Sequence, residues 1–473
     1  MLFNTVDFAV FFPIVLVLYW TLFRRSLSLQ NVFLVVVSYI FYSFWDWRFL
    51  SLIFMSSLVD FTVGRLLGKT TAAGKRKALL VVSLVFNLGL LGVFKYFNFF
   101  VETFVDTFAL FGTSLKATSW NILLPVGISF YTFQTLSYTI DIYRKRLEPT
   151  SNIVAFFAFV SFFPQLVAGP IERASNLLPQ FQKVRTFNYK KNIDGLRLIL
   201  AGLFQKMVIA DNCALFVNTY FESYQDQSGS TLFFTAVFFA FQIYGDFSGY
   251  SNIAIGTSRL LGFDLMKNFN FPYLAQDLSD FWRRWHISLS TWFRDYVYIP
   301  LGGSRVSKAR LMLNILIVFL VSGLWHGANL TFVFWGLVHA VCVIPVLLFI
   351  KKDRTYKSNR LLPTLPEIFR IGITFFIVTI AWVFFRAETI TDAFQYLEIV
   401  FSETLFKKPY LPLSGIAMLF GYMVWEWIHR HREHILDIGY ITSKPLRYGI
   451  YYVITFCIFY FAGDLQPFIY FQF

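Results

Sequence analysis

The stretch LMLNILIVFLVSGLWHGANLTFVFWGLVHAVCVIPVLLFI (311–350) decides the architecture of this chain. It consists of two apolar runs, 311–324 and 330–350, joined by Trp325-His326-Gly327-Ala328-Asn329. An α-helix needs roughly 20 mostly apolar residues to cross a hydrocarbon core. The runs are long and continuous rather than alternating, which points to membrane helices and away from a β-barrel. An ionisable side chain at or near bilayer depth is costly, so His326 should face protein interior or a water-filled cavity. Two readings stand at this point: an interior histidine bonded to a neighbouring helix, or a proton-transfer residue. Gly323 and Gly327 would leave room for close approach to the ring.

The rest of the chain agrees with the first reading of the class. Of 473 residues, 57% are hydrophobic and 14% charged, against about 25% charged in a soluble domain. Phenylalanine alone contributes 61 residues, which suits lipid contact and interfacial belts. Candidate spans fall at 6–23, 31–45, 49–67, 78–96, 122–140, 153–170, 196–217, 231–262, 309–325, 329–350, 368–386, 413–428 and 447–462. Pro164 and Pro170 interrupt one run, and Pro125 and Gly127 open another. Such segments are expected to be broken or re-entrant, buried in protein or lining a cavity. The expectation is an all-α membrane protein with about ten to thirteen membrane segments, not all full crossings. No polar stretch is long enough for a sizeable soluble domain, so residues 1–473 read as one membrane-embedded domain.

A net charge of +14 could suggest nucleic acid in a soluble protein. Here the positive-inside rule accounts for it, and no nucleic acid partner is expected. Arg24 and Arg25 follow the first run, and Lys69, Lys75, Arg76 and Lys77 follow the third, which places these turns in the cytoplasm and the N-terminus outside. The first run lacks a basic region ahead of it and reads as a retained helix. Cys213, Cys342 and Cys457 lie far apart and form neither CxxC nor a disulfide framework.

Several polar segments stand out. Residues 172–194 carry Arg173, Lys183, Arg185, Lys190 and Lys191 and read as a cytoplasmic surface loop, and 351–360 reads as a basic turn. In His429-Arg430-His431-Arg432-Glu433-His434 the interleaved arginines disfavour a bound cation, so no metal site is expected. Asp246, between glycines at 245 and 249, needs a partner inside an apolar run; a structural role and a substrate contact are both open.

From Leu278 the large apolar residues fall at 278, 282, 285, 289 and 292, one face of a helix. Asp277 or Ser279 can cap its start. His286 lies one turn beyond Trp282, with Arg283, Arg284 and Arg294 largely on other faces. This amphipathic helix belongs at the membrane interface or folded into the bundle mouth. It reads either as an anchor or as a second histidine with arginines able to hold an anion.

The strings DFSGYSNIAIG (246–256), FWRRWHISLSTWFRDYVYIPLGG (281–303) and GLWHGANLTFVFWGLVHA (323–340) resemble the membrane-bound O-acyltransferase family. The likeness is strongest to its bacterial alginate O-acetyltransferase branch. LLPVGISFYTFQTLSYTIDIYR (123–144), FFPQLVAGPIER (162–173) and PFIYFQF (467–473) fit the same branch in the same order. Asn252 departs from it, since the branch usually has Asp there.

The resemblance implies a multi-spanning ring of helices with re-entrant and interfacial amphipathic helices, and a channel that reaches a catalytic histidine. By matching motif, His326 is the catalytic histidine and His286 its partner. The donor would be acetyl-CoA or another acyl thioester, with no resident cofactor. The acetyl group would end on an extracytoplasmic polysaccharide, through a separate extracytoplasmic acetyltransferase partner, in a bacterial inner membrane. In that chemistry His326 serves as base. Trp325, Asn329 or the His286 ring would donate to the oxyanion. Arg283, Arg284 or Arg294 would face donor phosphates on the cytoplasmic side, and Trp282 and Asp246 complete the expected substrate site. Two competing classes are a proton-coupled transporter using Asp60, Asp246 and His326 as a relay, and a non-catalytic scaffold of an envelope assembly. A transporter should show two related halves, which the sequence does not.

Overall fold

In a computed structural model of the chain, the described residues are 1–112, 120, 122–166, 169–349, 360–463 and 466–469. Most of the basic turn expected at 351–360, and residues 470–473 of the C-terminal string, lie outside them. Every regular element among the described residues is helical. That is what a hydrocarbon core requires, because a helix satisfies its own backbone groups. Seven helical stretches are long and apolar enough to cross a membrane: Leu27–Lys69, Ala73–Ala109, Tyr189–Glu222, Gly229–Leu260, Lys308–His326, Leu330–Phe349 and Leu365–Arg386. The protein is a multi-pass helical membrane protein. The described residues group into two compact units, Met1–Gly195 with Ala254–Met266, and Leu196–Ile253 with Lys267–Phe473.

The first unit contains α1 (Val6–Thr21), α2 (Leu27–Asp46), α3 (Leu50–Lys69), α4 (Ala73–Leu91), α5 (Ile128–Tyr143), α6 (Ile153–Ser161) and α7 (Ala174–Phe181). Thr5 caps α1 and Asn152 caps α6 through side-chain oxygens that accept backbone N–H groups. Nearly all of α5 is buried, and it packs against α3 and α4. The run expected to begin at 122 becomes helical only at Ile128, because Gly127 has φ of +76° and a Cβ there would meet the Leu166 carbonyl oxygen at 2.6 Å. The run carrying Pro164 is broken as its composition suggests, with α6 ending at Ser161 and a short turn of helix following at Phe163–Leu166.

Asp60 lies at the centre of α3, α4 and α5, with nothing exposed. Its carboxylate accepts from Ser83, from Thr139 at 2.8 Å and from Asn87 at 2.7 Å, and Ser56 donates to Asn87 at 2.7 Å. Both oxygens are thus committed to a static network that ties three helices together in a medium without water.

Two helices, α8 (Tyr189–Glu222) and α9 (Gly229–Leu260), contribute residues to both units. The second unit also holds α10 (Leu278–Arg284), α11 (Ile287–Phe293), α12 (Lys308–His326), α13 (Leu330–Phe349), α14 (Leu365–Arg386), α15 (Leu413–His429) and α16 (Lys444–Tyr460). The dominant packing is the α12–α13 hairpin. A Cβ on Gly323 would collide with the Phe332 carbonyl, and one on Gly336 with the Phe319 carbonyl. Small residues on both helices therefore let the two backbones touch, the usual route to tight helix pairing where lipid supplies no hydrophobic drive. This hairpin, with α10 and α14 packed against α13, carries the candidate site.

Candidate active site

His326 is the last residue of α12, and Gly327 turns the chain away in an extended conformation. Asn329 fixes the turn. Its Oδ1 accepts the Thr331 N–H at 3.0 Å, and its Nδ2 donates to the Glu388 carbonyl at 2.9 Å. Both ends of the Asn329 amide, one of three candidate oxyanion donors, are thus engaged in holding the loop. The His326 ring is 3% exposed. It is boxed by Trp325, Trp335 and Phe385, with ring centroids 4.9, 5.2 and 5.4 Å away.

His286 sits at a break. The helix expected to run on from Leu278 stops at Arg284 and restarts at Ile287, and His286 between them has φ 43° and ψ 54°. Apolar spacing alone predicts one continuous helix; the correction comes from another segment of chain. At the break the Arg284 carbonyl accepts the Asn270 N–H, and the Ile287 N–H donates to the Asn268 carbonyl, both at 2.9 Å. Asn268 Oδ1 also accepts from Ser288 Oγ at 2.9 Å, while its Nδ2 donates to Ser251 at 3.1 Å. The Asn268–Asn270 loop thus satisfies helix-end groups that a break would otherwise leave bare. The left-handed turn directs the His286 ring inward, where it has no solvent exposure. It meets Phe247 edge-on at 4.7 Å, Trp325 at 5.9 Å and His326 at 6.2 Å between centroids. Burial lowers its pKa to about 3, so the ring is neutral near pH 7.

A third histidine joins the cluster without a motif of its own. His339 lies four residues after Trp335 on α13, on the same helix face. It is fully buried, 4.8 Å from Trp335, 4.9 Å from Trp282 and 6.5 Å from Trp382 between centroids. Among the described residues, neither of its ring nitrogens has a hydrogen-bond partner, and neither do the indole N–H groups of Trp282, Trp335 and Trp382. Trp335 touches both His326 and His339. The only signal for His339 in the sequence was its spacing from Trp335.

The other expected site residues separate from this cluster. Arg283 is exposed and donates to the Ser279 carbonyl of its own helix. Arg294 is exposed and pairs with Asp295 at 2.8 Å. Asp246 is buried, with Oδ1 2.8 Å from Lys206 Nζ and Oδ2 accepting the Ile469 N–H at 2.6 Å. Lys206 also lies 2.6 Å from Asp211 and donates to the Gln466 carbonyl at 3.0 Å. Asp246 thus belongs to a buried ion cluster that pins residues 466–469, and Phe468 packs on Tyr250 and Phe247. Asn252, the departure from the expected Asp, donates to Gln205 at 2.7 Å.

Residues 39–385 match the model of MBOAT, the membrane-bound O-acyltransferase family. The chain belongs to that family. It is an acyltransferase, and the ring cluster falls inside the matched region. A protein named as a probable alginate O-acetylase, AlgI, from Pseudomonas aeruginosa is 39% identical over 83% of this chain and 73% of its own. The peptidoglycan O-acetyltransferase of Helicobacter pylori is 33% identical over 97% of this chain and 89% of its own. The teichoic acid D-alanyltransferase of Bacillus subtilis is 29% identical over 57% of this chain and 70% of its own. Membrane O-acyltransfer needs a base at the acceptor hydroxyl and donors for the oxyanion, in a site dry enough to make both effective. The cluster sets two buried imidazoles, His286 and His326, beside the indole rings of Trp325 and Trp335.

Proposed function

We propose that this O-acyltransferase takes an acetyl group from a cytoplasmic acyl thioester, acetyl-CoA or a relative of it, and delivers it for O-acetylation of an extracytoplasmic polysaccharide. The observation that carries the reading is the His286–His326 ring pair, 6.2 Å apart within an aromatic box. His326 accepts the hydroxyl proton as the acceptor oxygen attacks the thioester carbonyl carbon. The tetrahedral intermediate then expels the thiolate, which recovers that proton, so the products are an ester and a free thiol. Indole N–H groups of Trp325 or Trp335, or the His286 ring, stabilise the oxyanion. Trp282 and His339 line the approach of the donor. The names of the P. aeruginosa and H. pylori relatives favour acetyl and an envelope polymer over other acyl groups and acceptors.

The topology in this reading has the N-terminus outside, Arg24 and Arg25 in the cytoplasm, and the chain in a bacterial inner membrane. A polymer is too large to thread a packed helical core. The acetyl group therefore passes to an acceptor on a separate extracytoplasmic partner, which acetylates the polymer. A transporter relay is less favoured because Asp60 and Asp246 are both committed to internal partners. The test is reconstitution in vesicles with thioester donor on the cytoplasmic side and candidate polymer on the other. Donor consumption with polymer acetylation only when the partner is added is the expected result. Efficient polymer acetylation by the chain alone would overturn the relay, and no donor consumption under either condition would overturn the acyltransfer scheme.

A further inference from the structure

The first unit holds a concave pocket of about 210 Å³, lined among others by Lys183, Arg185, Asn188, Lys191, Asn192 and Arg259. Arg185 is 6% exposed. Its Nη2 donates to Asn31 Oδ1 at 2.8 Å and Gln30 Oε1 at 3.2 Å, and its guanidinium lies 4.9 Å from the Phe263 ring centroid. The two amides have their orientation fixed, because Asn31 Nδ2 donates to the Phe181 carbonyl and Gln30 Nε2 to the Tyr19 carbonyl. All of these partners are neutral. A nearly buried cation without a carboxylate is an unusual expense, since buried charges are ordinarily paired. Arg185 Nε and Asn192 Nδ2, the latter on a residue 7% exposed, have no hydrogen-bond partner among the described residues.

The electrostatic balance of the pocket is positive. Lys191 is matched by Asp264 at 2.6 Å and Arg259 by Asp194. Lys183 and Arg185 have no carboxylate partner among the described residues, which leaves two cations unmatched. The start of α8 adds to them, with Asn188 Oδ1 capping the Lys191 N–H at 3.1 Å. A planar guanidinium with a spare N–H, a lysine, an amide donor and a helix start together suit a phosphate ester. The rim indicates its source. Val184, Phe187 and Tyr189 are 77%, 58% and 71% exposed beside the pocket, and exposed apolar and aromatic side chains next to lysines are a signature of the headgroup region.

We propose that this pocket is a phosphate-ester site that takes the headgroup phosphate of an anionic phospholipid, with the acyl chains lying over the Val184–Phe187–Tyr189 rim. It is separate from acyl transfer and does not depend on the scheme above.

The experiment is native mass spectrometry of the full chain in detergent, titrated with phosphatidylglycerol, with zwitterionic phosphatidylcholine, and with adenosine 3′,5′-bisphosphate as a soluble phosphate ester. Lys183→Glu and Asn192→Leu are compared with wild type; Arg185→Gln is a third variant, and the first two keep the test valid if it fails to fold. Phosphatidylglycerol should bind in preference to phosphatidylcholine, and each variant should weaken it about tenfold, as expected for loss of one charge-assisted contact. Variant-sensitive binding of the bisphosphate alone would support the anion site and assign it to a soluble ligand. Binding of neither probe, or binding that the variants leave unchanged, would overturn the proposal.

Discussion

The rings of His286 and His326 lie 6.2 Å apart, although one sits at the break between two short helices and the other at the end of a membrane helix. Trp325 touches both rings. The contact depends on the break: a continuous helix through 286 would have no left-handed residue to direct the imidazole inward, and Asn268 and Asn270 hold the break open to that purpose.

The buried state of His286 makes the fold acid-sensitive. Its pKa is about 3 in the folded protein, against about 6.5 for an exposed histidine. Between these values the unfolded chain binds the extra proton, so this contribution to stability is intact above about pH 6.5 and is lost as pH falls through the window toward 3. His286→Asn keeps a residue that tolerates the left-handed backbone and removes the imidazole. Thermal unfolding in detergent should show wild type losing more stability than the variant between about pH 7.5 and 5. Equal losses would place the acid sensitivity elsewhere.

His339→Phe should preserve the aromatic packing around Trp335 and Trp282 while removing both ring nitrogens. The unfolding temperature should stay near that of wild type. Thioester turnover should fall about tenfold, the scale of one lost polar contact to a bound donor. Unchanged turnover with a well-folded variant would make His339 a packing residue only.

The Lys206 cluster gives a double-substitution test. Lys206→Met leaves Asp246 and Asp211 without their shared cation, and removal of one buried partner typically costs about 3–5 kcal/mol. Adding Asp246→Asn should recover part of the loss, because one of the orphaned charges is then gone. Additive destabilisation in the double variant would show that the two residues are not energetically coupled.

Helix content and the burial of His326 could be read from the chain, because long apolar runs leave few alternatives in a bilayer and an ionisable ring at the end of one of them must face protein interior. The features that could not be read share a cause. Apolar spacing carried straight through Trp285 and His286, since the groups that stabilise the break come from Asn268 and Asn270, outside the helix pattern. Asp246 had an evident need for a partner, but nothing local pointed to Lys206, and its contact with Ile469 joins residues more distant still. The Glu388 carbonyl that accepts from the Asn329 amide comes from beyond α14, so nothing beside Asn329 in the chain points to that contact. His339 lies in mid-run, where only its spacing from Trp335 marks it.

The most direct test of the account is thioester consumption by the purified chain, with a soluble alcohol as acceptor, wild type beside His326→Ala. Loss of a general base commonly costs about two to four orders of magnitude. Wild type should release free thiol in step with ester formation, and His326→Ala should lose turnover on that scale while unfolding at a temperature close to wild type. A folded His326→Ala protein that still turns over the donor at near wild-type rate would contradict the assignment of His326 as the base.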